Sequence, residues 1–367
     1  MNVTINKDVL VKPLQLINGV VERRQTLPIL ANVLMEIQHG VLSLTATDLE
    51  VEIVVQIGLD GAPADARTTL PARKLFDICR SLADGADVTI QTDGERATVR
   101  SGRSRFVLTT LSAEDFPDIG GLDNARPFSL KQGELKRLVD QTAFAMAQQD
   151  VRYYLNGMLF EIGSHQLRVV ATDGHRLAMA EAAVDTGWED KTRVIVPRKG
   201  VIELQRLFEG QAKDVKIELG NNHIRFTADG VSFTSKLVDG RFPDYEHVVP
   251  KNSDKIVVVE RDALRQALLR ASILSNEKFR SITMEIRPGS IVVHARNPEQ
   301  EHAEEEVVVD YQGDDFEIGF NAAYVQDALS AMSEQQVQIL FTDPNSSCLL
   351  RGVANENSRY VVMPMRI

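Results

Sequence analysis

Cysteine is scarce. Cys79 and Cys348 are the only two in 367 residues, and neither has a second Cys or a His at metal-ligand spacing. That excludes a disulfide framework, leaves a zinc site without support, and suits a reducing cytoplasm. Long apolar runs are missing too. No stretch approaches the ~18 residues needed to cross a bilayer, and the opening Met1-Asn2-Val3-Thr4-Ile5-Asn6-Lys7 lacks the basic-then-apolar order of a secretion signal. A soluble, cytoplasmic protein with no membrane partner is the expectation. At 43% hydrophobic and 25% charged, the chain has apolar surface for two or three cores.

The motifs of cofactor and nucleotide chemistry are also absent. There is no Gly-x-Gly, no Gly-Lys-Ser/Thr, no His-Glu-x-x-His and no Gly-x-Ser-x-Gly, so dinucleotide folds, P-loops, zincins and serine hydrolases lose their signatures. No cofactor and no metal are expected. Nor is there a surplus of positive charge. With 41 Lys and Arg against 52 Asp and Glu, the net charge is -11, which excludes a chain that coats nucleic acid with a uniformly basic exterior. Any DNA contact must use a local basic surface.

What the chain does contain is itself, repeated. Asn32-Val33-Leu34-Met35-Glu36-Ile37 returns as Gly157-Met158-Leu159-Phe160-Glu161-Ile162, and its ending as Met284-Glu285-Ile286. Ala46-Thr47-Asp48 matches Ala171-Thr172-Asp173, Leu70-Pro71 matches Val196-Pro197, and Phe116-Pro117-Asp118 matches Phe242-Pro243-Asp244. The period is about a third of the chain, and self-similarity of that kind sets the fold class before any motif does. The expected domains are residues 1–125, 126–252 and 253–367, the third more diverged.

Each repeat has two similar halves, an amphipathic helix followed by short alternating strands. Leu75, Ile78, Cys79 and Leu82 follow the i, i+3, i+4, i+7 rule of a buried helical face, with Arg73, Asp77 and Arg80 opposite. Pro71 suits that helix's first turn. Val88–Gln91 and Ala97–Arg100 read as strands about a turn at Asp93-Gly94, with Phe106-Val107-Leu108 continuing the sheet. Comparable helices are predicted near 7–18, 131–146, 198–209, 260–274 and 321–333. Pro13 argues for an irregular or later start to the first. The fold class is α+β, three domains each with two helices on antiparallel sheet. The six helical segments carry more Lys and Arg than Asp and Glu, against the chain's negative total. Helices that present cations to phosphates bind without reading sequence, although helices also carry charge merely because they are exposed.

Thr172-Asp173-Gly174-His175-Arg176 is the one cluster resembling an acid-base site. Its counterpart Thr47-Asp48-Leu49-Glu50 keeps only the Thr-Asp pair, which points instead to a turn at a strand end. Tyr153-Tyr154 beside Arg152 could stack on bases or could pack. The acidic run 299–306 reads as a solvated face, with a basic stretch, Arg96, Arg100, Arg103 and Arg105, as its opposite.

Leu-Pro-Ile-Leu at 27–30, Pro-Ala-Arg-Lys at 71–74, Ser-Gly-Arg-Ser-Arg-Phe at 101–106 and Asp-Val-Arg-Tyr-Tyr-Leu-Asn-Gly at 150–157 resemble the bacterial beta sliding clamp family, the processivity factors of the replicative DNA polymerase. The resemblance continues through Ala-Thr-Asp-Gly-His-Arg-Leu at 171–177, Val-Pro-Arg-Lys-Gly at 196–200, Asp-Gly-Arg-Phe-Pro-Asp-Tyr at 239–245, Leu-Ser-Asn-Glu-Lys-Phe-Arg at 274–280 and Tyr-Val-Val-Met-Pro-Met-Arg at 360–366. It spans nearly the whole chain.

That resemblance implies a non-enzymatic head-to-tail homodimer, a six-domain ring around duplex DNA, loaded by a clamp loader and bound by the polymerase catalytic subunit and other proteins carrying a clamp-binding motif. It implies weak DNA contacts from Arg24, Arg73, Gln149, Tyr153, Tyr154, Arg198 and Lys199. It implies a peptide pocket of Arg152, Tyr154, Leu155, Thr172, Gly174, His175, Arg176, Leu177, Pro243, Val248, Asn321, Tyr324, Ser347, Val361, Val362, Met363, Pro364 and Met365. At the dimer join it places Phe106 and Leu108 against Ile273 and Leu274, and Lys74, Arg96, Arg103 and Arg105 against Glu299, Glu301, Glu304 and Glu305. Two positions depart from the family pattern: His247 stands where a basic residue is expected and His302 where an acid is. An enzyme using Asp173 and His175, or a repeat scaffold that never encircles DNA, are the competing readings.

Overall fold

The computed structural model describes residues 1–21, 27–61, 63–208 and 212–366. Among them are six α-helices: α1 (Lys7–Ile17), α2 (Ala72–Ser81), α3 (Gln132–Asp140), α4 (Arg198–Leu207), α5 (Arg261–Ala271) and α6 (Ala322–Ala331). All six fall where the 3.6-residue periodicity places them. The α3 helix is shorter than its pattern. It ends at Asp140, and Ala143–Ala145 continues as a single 3₁₀ turn. Pro13 does not delay α1, which starts at Lys7 under an Asn6 side-chain cap and runs through the proline. The bond an interior proline removes is the one to the carbonyl four residues back, here on Val9, an exposed residue.

The chain forms two compact units, Met1–Gly133 with Ile202–Leu237, and Glu134–Val201 with Val238–Ile367. The first unit holds a four-stranded sheet in the order Asn2–Asn6, Asp87–Asp93, Arg96–Ser101, Ser104–Thr109. It also holds an eight-stranded sheet in which Val51–Gly58 of the first repeat pairs antiparallel with Val231–Lys236 of the second, Ile53 opposite Phe233. The turn of the first predicted hairpin falls at Gly94-Glu95, one residue later than expected, with Gly94 at φ 56°. In the second unit a twelve-stranded sheet joins repeats the same way: Arg176–Ala183 pairs with Ser358–Val362, Leu177 opposite Val361. The sheets thus run across the sequence repeats. A strand of one repeat that would otherwise be an open edge finds its partner in the next.

The helices cover these sheets with their apolar faces. Leu10, Leu14 and Ile17 of α1 and Leu75 and Cys79 of α2 are fully buried where the two helices pack together. Leu264, Ala267 and Leu268 of α5 do the same against α6 and the strand His302–Asp310. Each buried Leu or Ile contributes about 1.5–3 kcal/mol. Burial pushes the thiols of Cys79 and Cys348 up to about 11 and about 12, so both stay protonated and unreactive at neutral pH.

Candidate functional site

The Thr-Asp pairs build one turn twice. Thr47 Oγ1 donates to the Val51 carbonyl (2.8 Å), and Asp48 Oδ1 accepts from the backbone of Glu50 and Val51 at 2.9 and 2.8 Å. In the second repeat Thr172 Oγ1 donates to the Arg176 carbonyl (2.6 Å), and Asp173 Oδ1 accepts from His175 and Arg176 at 2.9 and 3.0 Å. The same left-handed position falls on Leu49 (φ 78°) and on Gly174 (φ 89°), where glycine is the less strained choice. The Asp173 carboxylate is thereby committed to structure, and its second oxygen accepts from Arg176 Nε at 3.1 Å.

Arg176 is the hub of what surrounds this turn. Its guanidinium lies over the rings of Tyr324 (4.6 Å) and Phe144 (5.2 Å), donates to the Phe144 carbonyl at 2.9 Å and pairs with Asp327. His175 stacks on Tyr324 with centroids 6.2 Å apart. Arg152, tied to Asp150 at 2.9 Å, sits close enough to Gly174 that a Cβ there would come within 3.1 Å of it. That pairing holds the Asp150 carboxyl down to about 2.

Below the turn, Leu177 and Val361 are buried in an apolar cluster with Tyr245 and Leu349, and Tyr154 packs against it half-buried. Leu155 and Val362 are buried as well. Val248 and Met363 stay open, each 36% exposed, and Pro243 is exposed. The tail is pinned at two points, Met363 N–H to the His175 carbonyl (2.9 Å) and Met365 N–H to the Gly319 carbonyl (2.8 Å). Asn321 caps α6 through Ala323 N–H, and Pro364 and Ser347 are half-buried. An apolar floor with an open Met-Val-Pro rim beside a cation suits an extended peptide with apolar anchors. Sequence reasoning missed Phe144 and Asp327, which hold Arg176. Both lie far from it in sequence, and no local pattern marks them.

Two of the open strand edges among the described residues carry opposite charge. Ser104–Thr109 ends its sheet. His302–Asp310 pairs on one side with Ser290–Arg296, while its other neighbour meets it only at Val309 and Asp310. Arg103 and Arg105 are exposed on the first edge, Glu304 and Glu306 on the second. Ile273 is 75% exposed and Leu274 half-buried; Phe106 is half-buried and Leu108 already 8% exposed. Lys74, Arg96, Glu299 and Glu301 are exposed. Glu305, expected at the join, already has a partner in its own chain. Glu305 is held within its own chain by a two-pronged bond from Arg270 at 2.6 and 2.8 Å, because strand alternation turns 305 toward α5 and leaves 304 and 306 outward. The same alternation exposes Val107 (46%) and Val308 (84%), two apolar edge residues the sequence reading passed over.

Of the proposed DNA contacts, Arg24 lies outside the described residues. Arg73 is exposed on α2 and donates to the Val21 carbonyl. Gln149 is exposed at φ 56°, and Tyr153 is 57% exposed, edge-on to Tyr154. Arg198 and Lys199 are half-buried at the start of α4.

Three repeats of helix pairs on antiparallel sheet define the DNA-clamp class. Residues 1–120, 129–244 and 246–366 match the families described as DNA polymerase III beta subunit, N-terminal, central and C-terminal domain. The chain is 52% identical to the beta sliding clamp of Pseudomonas putida and 49% identical to that of Escherichia coli K12, with all of each chain covered. Among solved structures it resembles the DNA polymerase III subunit beta of Pseudomonas aeruginosa (51% identity, TM-score 0.98) and Caulobacter crescentus pol III beta (40%, 0.94), each covering both chains in full. The chain belongs to the DNA polymerase III beta subunit family. It is a DNA sliding clamp, a processivity factor of DNA replication rather than an enzyme.

Proposed function

We propose that two copies close head to tail into a six-domain ring around duplex DNA, with the three domains bounded at 1–125, 126–252 and 253–367. The observation that carries this is the pair of unpartnered strand edges, one basic and one acidic, each with an exposed valine. An antiparallel ladder between Ser104–Thr109 of one protomer and 302–308 of its partner satisfies both rows of backbone groups. It sets Arg103 and Arg105 against Glu299, Glu301, Glu304 and Glu306, and Phe106 and Leu108 against Ile273 and Leu274. Glu305, which Arg270 holds, belongs to the same acidic edge. His302 lies on the acidic edge without adding to its negative charge. Light scattering at about micromolar concentration tests this: a dimer is expected, and Ile273→Asp, which places a charge in the apolar seam, should give monomers. A monomeric wild-type chain contradicts the ring.

Within the ring, Arg24, Arg73, Gln149, Tyr153, Tyr154, Arg198 and Lys199 give weak, sequence-independent phosphate and stacking contacts whose affinity falls steeply with salt. The cleft around Leu177, Pro243, Val248, Met363 and Met365 takes the apolar anchors of a short peptide. It is the shared docking point for the clamp loader, the polymerase catalytic subunit and other motif-bearing proteins, with Arg152, His175 and Arg176 orienting the peptide's polar groups. A clamp at work on DNA acts in the cell interior.

A further inference from the structure

Beside the proposed peptide cleft, on the same face of the same sheet, lies a second cleft of about 510 Å³. Strand register fixes how close the two are. Leu177, Val361 and Leu349 stand side by side as the floor of the first, and Met179, Arg359 and Arg351 form the next row on that face, two residues further along each strand. Two residues along a strand is about 7 Å. The chain after Val248 crosses here, so Val249, Pro250 and Lys251 wall the second cleft as Val248 rims the first.

The second cleft is basic in a chain whose net charge is -11. Four cations line it, Arg168, Lys251, Arg351 and Arg359, against Glu246 and Glu356. Two of the four are already used. Arg168 is held by Glu181 (2.9 Å), Glu161 (3.3 Å) and the Tyr245 hydroxyl (3.1 Å), and Arg351 by Glu356 (2.5 Å) and Gln338 (2.9 Å). Glu246 is drawn toward three cations at once, Arg168, Lys191 and Arg193, at 3.8 to 3.9 Å. Lys251 and Arg359 have no ion-pair partner among the described residues, and Arg359 is half-buried. A half-buried guanidinium without a counter-charge is an incomplete arrangement, since its desolvation is offset only when an anion joins it.

We infer that this second cleft receives acidic residues flanking the apolar anchor of a bound peptide, with Lys251 and Arg359 as the receiving cations. The inference rests on the peptide reading of the neighbouring cleft. It makes the site a two-part reader: the apolar floor takes the anchor, and the basic row selects partners whose anchor has Asp or Glu two to three residues away. Partners sharing one anchor would then compete according to their flanks, and would lose that ranking in salt.

The test is calorimetric titration of the full-length protein with peptides that share one apolar anchor and carry Asp-Glu on the N-terminal side, Asp-Glu on the C-terminal side, or alanines on both. One acidic peptide should bind about three- to tenfold tighter than the alanine peptide, with the difference shrinking at high salt. Lys251→Glu, a substitution in a loop, and Arg359→Gln should each reduce that advantage, and together abolish it, while the alanine peptide binds as before. Equal affinity for all three peptides, or an acidic advantage that survives the double substitution, overturns the inference and leaves the anchor cleft standing. Failure of every peptide to bind overturns both readings.

Discussion

Asp173 shows how a residue with catalytic credentials is spent on structure. One carboxylate oxygen accepts two backbone N–H groups and the other accepts from Arg176, so its loss removes the bonds that close the turn and frees the arginine that Tyr324 and Phe144 flank. Asp173→Ala should lower unfolding stability by about 1–3 kcal/mol in a denaturant titration, and should weaken peptide binding through the displaced Arg176. Asp48→Ala, in the equivalent turn, should cost stability alone. If Asp173→Ala matched wild type in both assays, the turn would not be what positions Arg176. This role was legible in the sequence because the Thr-Asp pair repeats while His175 does not. The role of Phe144 and Asp327 was not, since only the tertiary fold brings them to the guanidinium.

At the scale of elements, the joins between repeats carry the most information. Glu52 lies on the strand that joins the first repeat to the second, opposite Thr234. Burial, with a smaller push from Asp118 and an opposing pull from Arg225, raises its carboxyl to about 7. A carboxyl whose folded value exceeds its unfolded one favours the fold most while protonated. That contribution is full below about pH 4.5 and is lost as pH rises toward and past about 7. Glu52→Gln should therefore raise Tm relative to wild type at about pH 8 and bring little gain near pH 5. The reverse pattern contradicts this account of the join. The tail gives a second expectation. Ending the chain at Val362 removes Met363 and Met365 from the peptide rim, and lost apolar contacts of a few kcal/mol should weaken an anchor peptide by about tenfold or more without changing the oligomeric state. Helix positions and strand alternation could be read from periodicity here because each helix buries one face. Strand partners could not, because Val51–Gly58 pairs with a strand of the next repeat and nothing local encodes that choice.

At the scale of the whole molecule, the proposed ring rests on a basic and an acidic strand edge that a second copy can pair. The threefold repeat was visible from Glu36, Glu161 and Glu285 and their neighbours, and so was the opposition of a basic stretch to an acidic run. The direction of each side chain on those edges was not visible. The alternation that turns Glu305 inward to Arg270 is set by which face of the strand α5 covers. Retention on DNA should therefore come from closure rather than from affinity. The most direct measurement is to load the protein with its clamp loader onto covalently closed circles and onto linear duplex of the same sequence, then follow the bound fraction after a rise in salt. Closure predicts that protein stays on the circles and leaves the linear DNA through its ends, whatever the salt does to direct contacts. Equal loss from both DNAs would contradict it.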